Sequence, residues 1–434
     1  MNEERTIEAL LRWLVFPILL VVFVFQAYAC RALFADGASF LLFVLQEHDF
    51  PRWDMQRMTN HVVTLGPTLL ALKLGVRDLV FLRYLFSSWL LFCPLFVWGM
   101  ALWIARRDGL FWPLVMLLCL VYYGTNFFAI GEYNLCFALA VYCFAALVLP
   151  LPQSNFYRAS LLIAAALLPL EYPATLFLGS LLFGLVVAKP AAEWRGASFL
   201  YKLSLALFFL VSVATAVWEI VLPRDPANFA SAKNYAVLFE DAQFWGTLFY
   251  SLALVVMFFV RRPSLRLVCA LLCVGLLMVI IFNPLSDYPF TAYNIRAHMA
   301  LALAFLGVGL WWLRTRSSQF VEHQSMALPV AVLGMVLFVV LSVFDIMLSV
   351  DYAGYIEAFR NDIDRNTGLI PYEVSGVPLI PDSDRFSRIW TFPVMSIVLR
   401  DSAQKAVILN PAGYRGYEPF DPHKNIPDLN MYYR

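Results

Sequence analysis

Charge is what this chain has least of. Only 14% of its 434 residues are Asp, Glu, Lys or Arg, and the 31 basic and 30 acidic residues leave a formal net charge of +1. With 62% hydrophobic residues and a mean hydropathy of +0.73, a string of ordinary soluble domains is excluded and the chain falls in the membrane class. No polybasic tail exists, and the basic residues sit as short clusters between apolar runs, so nucleic acid is not an expected partner. Usable cysteine chemistry is missing too. Cys30, Cys93, Cys119, Cys136, Cys143, Cys269 and Cys273 fall inside or at the ends of apolar runs, with neither a disulfide framework nor metal-ligand spacing. There is no internal repeat and no low-complexity tract. The inverted halves expected of many transporters therefore have no visible trace.

What the chain does have is apolar runs. Taking about 20 residues as the length of a span, stretches near 10–28, 79–104, 110–123, 135–149, 159–170, 174–187, 199–222, 244–260, 267–281, 293–313 and 327–350 read as about eleven transmembrane helices. The first could be mistaken for a signal peptide, because Ala27-Tyr28-Ala29 resembles a cleavage site. Its leading NEER carries two glutamates and its apolar run is long, so it reads as an uncleaved anchor.

Basic connections then alternate with acidic or neutral ones. Arg5 and Arg12, Arg106 and Arg107, Arg158, Lys189 with Arg195 and Lys202, Arg261 with Arg262 and Arg266, and Arg314 with Arg316 fall on one side, the cytoplasmic one by the positive-inside rule. An odd number of spans puts the C-terminus outside. The expected fold is an all-α polytopic protein of a bacterial inner membrane, with a transmembrane domain over 1–350 and an extracytoplasmic α+β region over 351–434.

The outward connections hold the chemistry. In the first, 32–78, Ala38–Leu45 and Trp53–Leu74 read as two helices lying in the interface, the second kinked at Gly66-Pro67. Asp54, Arg57 and His61, at i, i+3 and i+7, share one face of the second. Further outward groups are Glu132, a turn at Glu171-Tyr172-Pro173 that reads as water-exposed, and Arg296 and His298 at the start of a later span. Trp112, Trp311 and Trp312 read as interface belt. After residue 350, DYAGYIEAFRNDIDRNTGL reads as a helix stopped at Asn-Thr-Gly, and IPYEVSGVPLIP, TFPVMSIVLR and KAVILNP as short strands.

This order of a membrane helix, an outward Asp36 at its exit, two interfacial helices, a Gly-Val-Arg-Asp turn, a helix from Leu82-Arg83 and a basic ARRDG resembles the start of the GT-C superfamily of membrane glycosyltransferases. The resemblance covers a layout of about the first 190 residues and rests on no long shared motif. It implies a polyprenyl-phosphate sugar as donor, a glycan or lipid of the envelope as acceptor, Asp36 as catalytic base, and Glu132 as the second outward acid common in that superfamily. The first loop lacks the acidic pair of some subfamilies, holding only Glu47-His48-Asp49, so the cofactor is unknown and a divalent cation stays open.

The residues agree chemically. Sugar transfer from a lipid phosphate needs a base for the acceptor hydroxyl, and positive donors for the departing phosphate. Arg296 and Arg83 are candidates for the second task, helped by His61 and His298, with Asp54 and Arg57 close by in sequence. Plainer readings stand beside these. Asp36 and Glu132 can be helix caps, Arg296 can snorkel, and Asp54, Arg57 and His61 can be a wetted helix face. His48, His61 and His298 would equally suit a membrane acyltransferase or an O-antigen polymerase or ligase. A lipid-linked substrate transporter is the third class.

Overall fold

The computed structural model describes residues 2–34, 36–51, 57–123, 132–149, 154–189, 194, 198–222, 242–259, 262–282, 290–316, 328–375, 392–410, 423–427 and 429–433. Among these, helix dominates: α1 (Asn2–Tyr28), α2 (Asp36–Glu47), α3 (Met58–Lys73), α4 (Leu79–Ala105), α5 (Phe111–Leu118), α6 (Glu132–Val148), α7 (Asn155–Leu167), α8 (Thr175–Ala188), α9 (Phe199–Val221), α10 (Ala242–Phe259), α11 (Pro263–Phe282), α12 (Phe290–Arg316), α13 (Leu328–Arg365) and α14 (Phe392–Leu399). A helix stands at every stretch read as a span. By length and composition four can cross a membrane, within α1, α4, α9 and α13, and seven more described helices are apolar but shorter.

The chain divides into two compact units. The first comprises Met1–Leu19, Pro94–Asn126 and Glu132–Ser342, and is a helix bundle in which α10 packs on α11 and α12, α8 on α9 and α12, and α6 on α7. Some of its buried polar groups bridge separate segments. Arg12 donates to Glu8 at 2.6 Å and to the Arg106 carbonyl at 2.7 Å. Where α5 widens into a π-helical turn at Cys119–Tyr123, the Tyr250 hydroxyl donates to the Met116 carbonyl at 2.9 Å. Trp112 is fully buried and its ring lies against Gly334, so it belongs to this core and not to an interface belt. Trp312, at 43% exposure, does face outward.

Two glycines let α12 approach its neighbours. A Cβ on Gly309 would meet Val255 Cγ2 at 2.8 Å, and one on Gly307 would meet Leu181 Cδ2 at 2.5 Å. Valine is held to few rotamers whereas the end of a leucine swings away. Gly309→Ala is therefore expected to cost about 1–3 kcal/mol and Gly307→Ala less, despite its shorter contact. Thermal unfolding of both variants in detergent checks the order, and a larger loss for Gly307→Ala would contradict it.

The second unit takes in Leu20–Cys93 and Val343–Arg434. Its centre is α14, all eight residues of which are buried. Eight residues are too few for a stable isolated helix, so burial against α2 and β2 must hold it. TFPVMSIVLR, expected as a strand, is thus helical from Phe392 on; a short apolar run buried all round has no period that separates helix from strand. Ser396 ties the helix to the strand after it, its hydroxyl donating to the Phe392 carbonyl at 2.7 Å and accepting from the Ile408 N–H at 3.0 Å. The described sheet is small: β1 (Leu369–Ile370) and β2 (Val407–Ile408) pair in parallel, Leu369 opposite Val407. The expected helix after residue 350 is present as a continuation of α13, and its Asn-Thr-Gly stop ends on Gly368 at φ +76.

In this unit α2 and α3 are core elements. Ala38, Leu41, Leu42 and Leu45 of α2 and Leu65, Leu69 and Leu72 of α3 join Leu82, Phe86, Tyr352, Phe359 and the α14 side chains in one cluster. Gly75 at φ 89 ends α3 in a Schellman turn, with Gly75 N–H on the Leu72 carbonyl and Val76 N–H on that of Ala71, both at 3.0 Å. Asp78 then caps α4, accepting from the N–H groups of Val80 at 2.9 Å and Phe81 at 3.1 Å.

Candidate functional site

After α1 the chain reverses at Cys30, which sits at φ 50, makes a short 3-10 turn at Arg31–Leu33, and enters α2 at Asp36. Asp36 is half-buried in the first turn, where the helix dipole favours a carboxylate. Phe40 lies one turn on and shares its face. The ring of His61 meets Phe40 edge-on at 5.2 Å, which brings a second titratable group to that side of α2. His61 is almost fully buried, so the wetted face expected of it is not what the fold provides. Arg57, half-buried, stands just before α3 and one turn from His61.

Arg83 is the next member. It lies on the second turn of α4 at 5% exposure and donates to the Leu399 carbonyl at 3.0 Å, satisfying one of the open carbonyls at the end of α14. Four arginines are this deeply buried among the described residues. Arg12 has Glu8 and Arg31 has Asp345. Arg400 spends three donors on the Tyr433 hydroxyl and the Ala403 and Pro427 carbonyls. Arg83 has a single protein acceptor and no ion pair among the described residues. Burial pushes the thiol of neighbouring Cys30 up to about 11 against the opposing pull of Arg83 and Arg360, so at neutral pH it offers no counter-charge.

The remaining candidates divide differently. Glu132 opens α6 and Arg296 and His298 lie on α12, in the second and third turns rather than the first, but their side chains fall outside the described residues, as does Asp54 altogether. Among the described residues no cluster of His, Cys, Asp and Glu could hold a metal ion.

A buried ion pair in the second unit was not among the candidates. Arg31, 2% exposed, donates to Asp345 Oδ2 at 2.8 Å and to Ser349 Oγ at 3.0 Å, while Gln26 donates to the same carboxylate oxygen at 2.8 Å. A signal was available, for Asp345 is a lone acid inside the apolar run VLFVVLSVFDIMLSV. Glu171 also departs from its reading: its turn is not water-exposed, since the side chain is at 0% exposure in the first unit, following Leu170 at φ 62.

The C-terminal segment is anchored onto the second unit by a tyrosine. Tyr432 donates to the Leu45 carbonyl at 2.8 Å and accepts from Arg77 at 3.3 Å, and its oxygen lies 2.5 Å from His48 Nε2. Its one proton being committed to Leu45, the histidine nitrogen must be the donor. Tyr432→Phe is expected to cost about 1–3 kcal/mol by orphaning these groups; faster proteolytic trimming of the C-terminus checks it. Burial raises the Tyr432 phenol above its ordinary value, with Arg77 opposing. A raised pKa contributes stability below the unfolded value of about 10 and loses it as pH climbs through the folded value, so the anchor should release in alkali, not acid.

No family model matches this chain, and neither the curated proteins nor the solved structures contain a significant match to it.

Proposed function

We propose that this chain is a polytopic membrane glycosyltransferase of GT-C type, with about eleven spans, a cytoplasmic N-terminus and an extracytoplasmic C-terminus, that transfers a sugar from a polyprenyl-phosphate donor to an envelope glycan or lipid. The observation that supports the reading is the presence, within one folded unit, of a half-buried carboxylate in the first turn of α2, Asp36, and a buried guanidinium that forms no ion pair among the described residues, Arg83. A base and an anion receptor are the two groups such a transfer requires. Asp36 takes the proton of the acceptor hydroxyl as its oxygen attacks the anomeric carbon and the polyprenyl phosphate leaves with the bonding pair, inverting the configuration. Arg83 faces the charge that grows on the phosphate, and His61 packs on Phe40, one turn from the base. Glu132 as a second acid, and Arg296 and His298 as donor-binding groups, remain expectations of the sequence, their side chains lying outside the described residues.

The test is turnover by the purified chain of a panel of radiolabelled polyprenyl-phosphate sugars with envelope glycans and lipids as acceptors. Consumption of one donor with appearance of labelled product is expected. Failure with every donor across the panel, in protein that melts cooperatively, would overturn the reading.

A further inference from the structure

In the first unit the end of α6, the start of α7, the end of α8 and the start of α9 are tied together by cations and aromatic rings. Lys189, just after α8, donates its ammonium to the Leu147 carbonyl, one of those that α6 leaves open at its end. The Tyr201 hydroxyl, in the first turn of α9, donates to the Arg158 carbonyl of α7 at 3.2 Å. Trp194, 9% exposed, gathers both lysines: its ring centroid lies 5.4 Å from Lys189 Nζ and 5.2 Å from Lys202 Nζ, with the Tyr201 ring at 6.4 Å. At these distances the indole attracts both ammoniums, yet a neutral ring cancels neither charge. Over 189–202 the chain carries Lys189, Arg195 and Lys202 against one acid, Glu193, so the cluster is positive overall.

The length of α9 fixes where this cluster lies. Its 23 residues are apolar enough to cross a membrane. At 1.5 Å per residue they cover roughly 34 Å, slightly more than a hydrocarbon core, so each end meets a boundary between hydrocarbon and headgroups. Lys202 is in the first turn, and Trp and Tyr are the rings favoured at that boundary. Below it, Leu200, Leu203, Leu207 and Leu210 are all exposed and recur every three or four residues, which makes one apolar stripe beginning beside Lys202. Positive charge at the head of an apolar track complements an anionic headgroup at the head of an acyl chain. A free anion or an acidic peptide would use the lysines and leave the stripe idle.

We propose that Lys189, Lys202 and Trp194 form a binding site for the headgroup of an anionic phospholipid whose acyl chain lies along α9. Such a site requires that α9 cross the membrane and is independent of glycosyl transfer. On the orientation proposed above both lysines are cytoplasmic, which puts this lipid in the leaflet opposite the sugar chemistry, and the site shares no residue with Asp36 or Arg83, which belong to the second unit.

The experiment is native mass spectrometry of the full chain in detergent, without any sugar donor, titrated with dioleoyl phosphatidylglycerol or dioleoyl phosphatidylcholine. Phosphatidylglycerol should bind in preference, and Lys202→Gln should weaken it about fivefold, the effect of one lysine at a membrane surface, while leaving phosphatidylcholine unchanged. Lys202 holds no ion pair among the described residues, so that variant should melt as wild type does. Lys189→Gln should weaken binding similarly but also removes the tie to α6. Arg262→Gln, at an exposed arginine before α11, is the control for lost charge alone and should bind as wild type. Equal binding of the two lipids, undiminished phosphatidylglycerol binding by Lys202→Gln, or equal weakening by Arg262→Gln would overturn the proposal. So would displacement of phosphatidylglycerol by an equal concentration of inorganic phosphate, which would assign the lysines to a free anion.

Discussion

Asp345→Ala is expected to cost about 3–5 kcal/mol of stability, the range for removing one partner of a buried ion pair. Two things are lost together, the acceptor shared by Arg31 and Gln26 and the charge that makes a guanidinium at 2% exposure tolerable. Arg31 would retain Ser349 Oγ at 3.0 Å and the more distant Asp345 carbonyl at 3.5 Å, neither of which carries charge. Asp345→Asn keeps a carbonyl oxygen in place and should fall between alanine and wild type. The decisive comparison is the double replacement Arg31→Leu with Asp345→Leu, in which no buried charge is left. Such replacements are often neutral or stabilising, so the double variant should unfold at a higher temperature than Asp345→Ala. A double variant no more stable than the single would mean that packing around these residues, and not an uncompensated charge, sets the loss.

Asp36→Asn should lower sugar transfer by about 10²–10⁴-fold, the usual contribution of a positioned base. Asparagine keeps the shape and can still sit at a helix start, so stability should change by no more than the dipole interaction of one first-turn carboxylate, about 0.3–1 kcal/mol. A large loss of activity with a small loss of stability is the signature of a base. Activity within a factor of two of wild type would remove Asp36 from the chemistry and leave it as a helix-start residue, directing attention to Glu132. Unfolding of the variant would show instead that the carboxylate supports α2.

The elements were legible to different degrees, for physical reasons. Apolar runs long enough to span declared α1, α4, α9 and the first part of α13, since no other arrangement satisfies so many backbone groups in hydrocarbon. The turn Leu74-Gly75-Val76-Arg77-Asp78 was readable because a left-handed glycine and a capping aspartate act over a few residues. By contrast TFPVMSIVLR gave no decisive period, and the buried state of α2 and α3 depends on partners far along the chain. His61 illustrates the limit: spacing puts it on a face with Arg57, but only the fold turns it against Phe40 and away from water.

The candidate site follows the same division. Asp36 and Arg83 were nameable from residue type and position beside apolar runs. That Arg83 donates to the Leu399 carbonyl and that Asp345 is committed to Arg31 could not be read, because the partners are 316 and 314 positions apart. The sequence by itself determined the membrane class of the protein and its long helices, through hydropathy and local turn chemistry, both properties of neighbouring residues. Only the tertiary structure decided which charges are neutralised and which are left open. A charge's cost and use depend on its burial and its partners, and those are set when distant segments pack together.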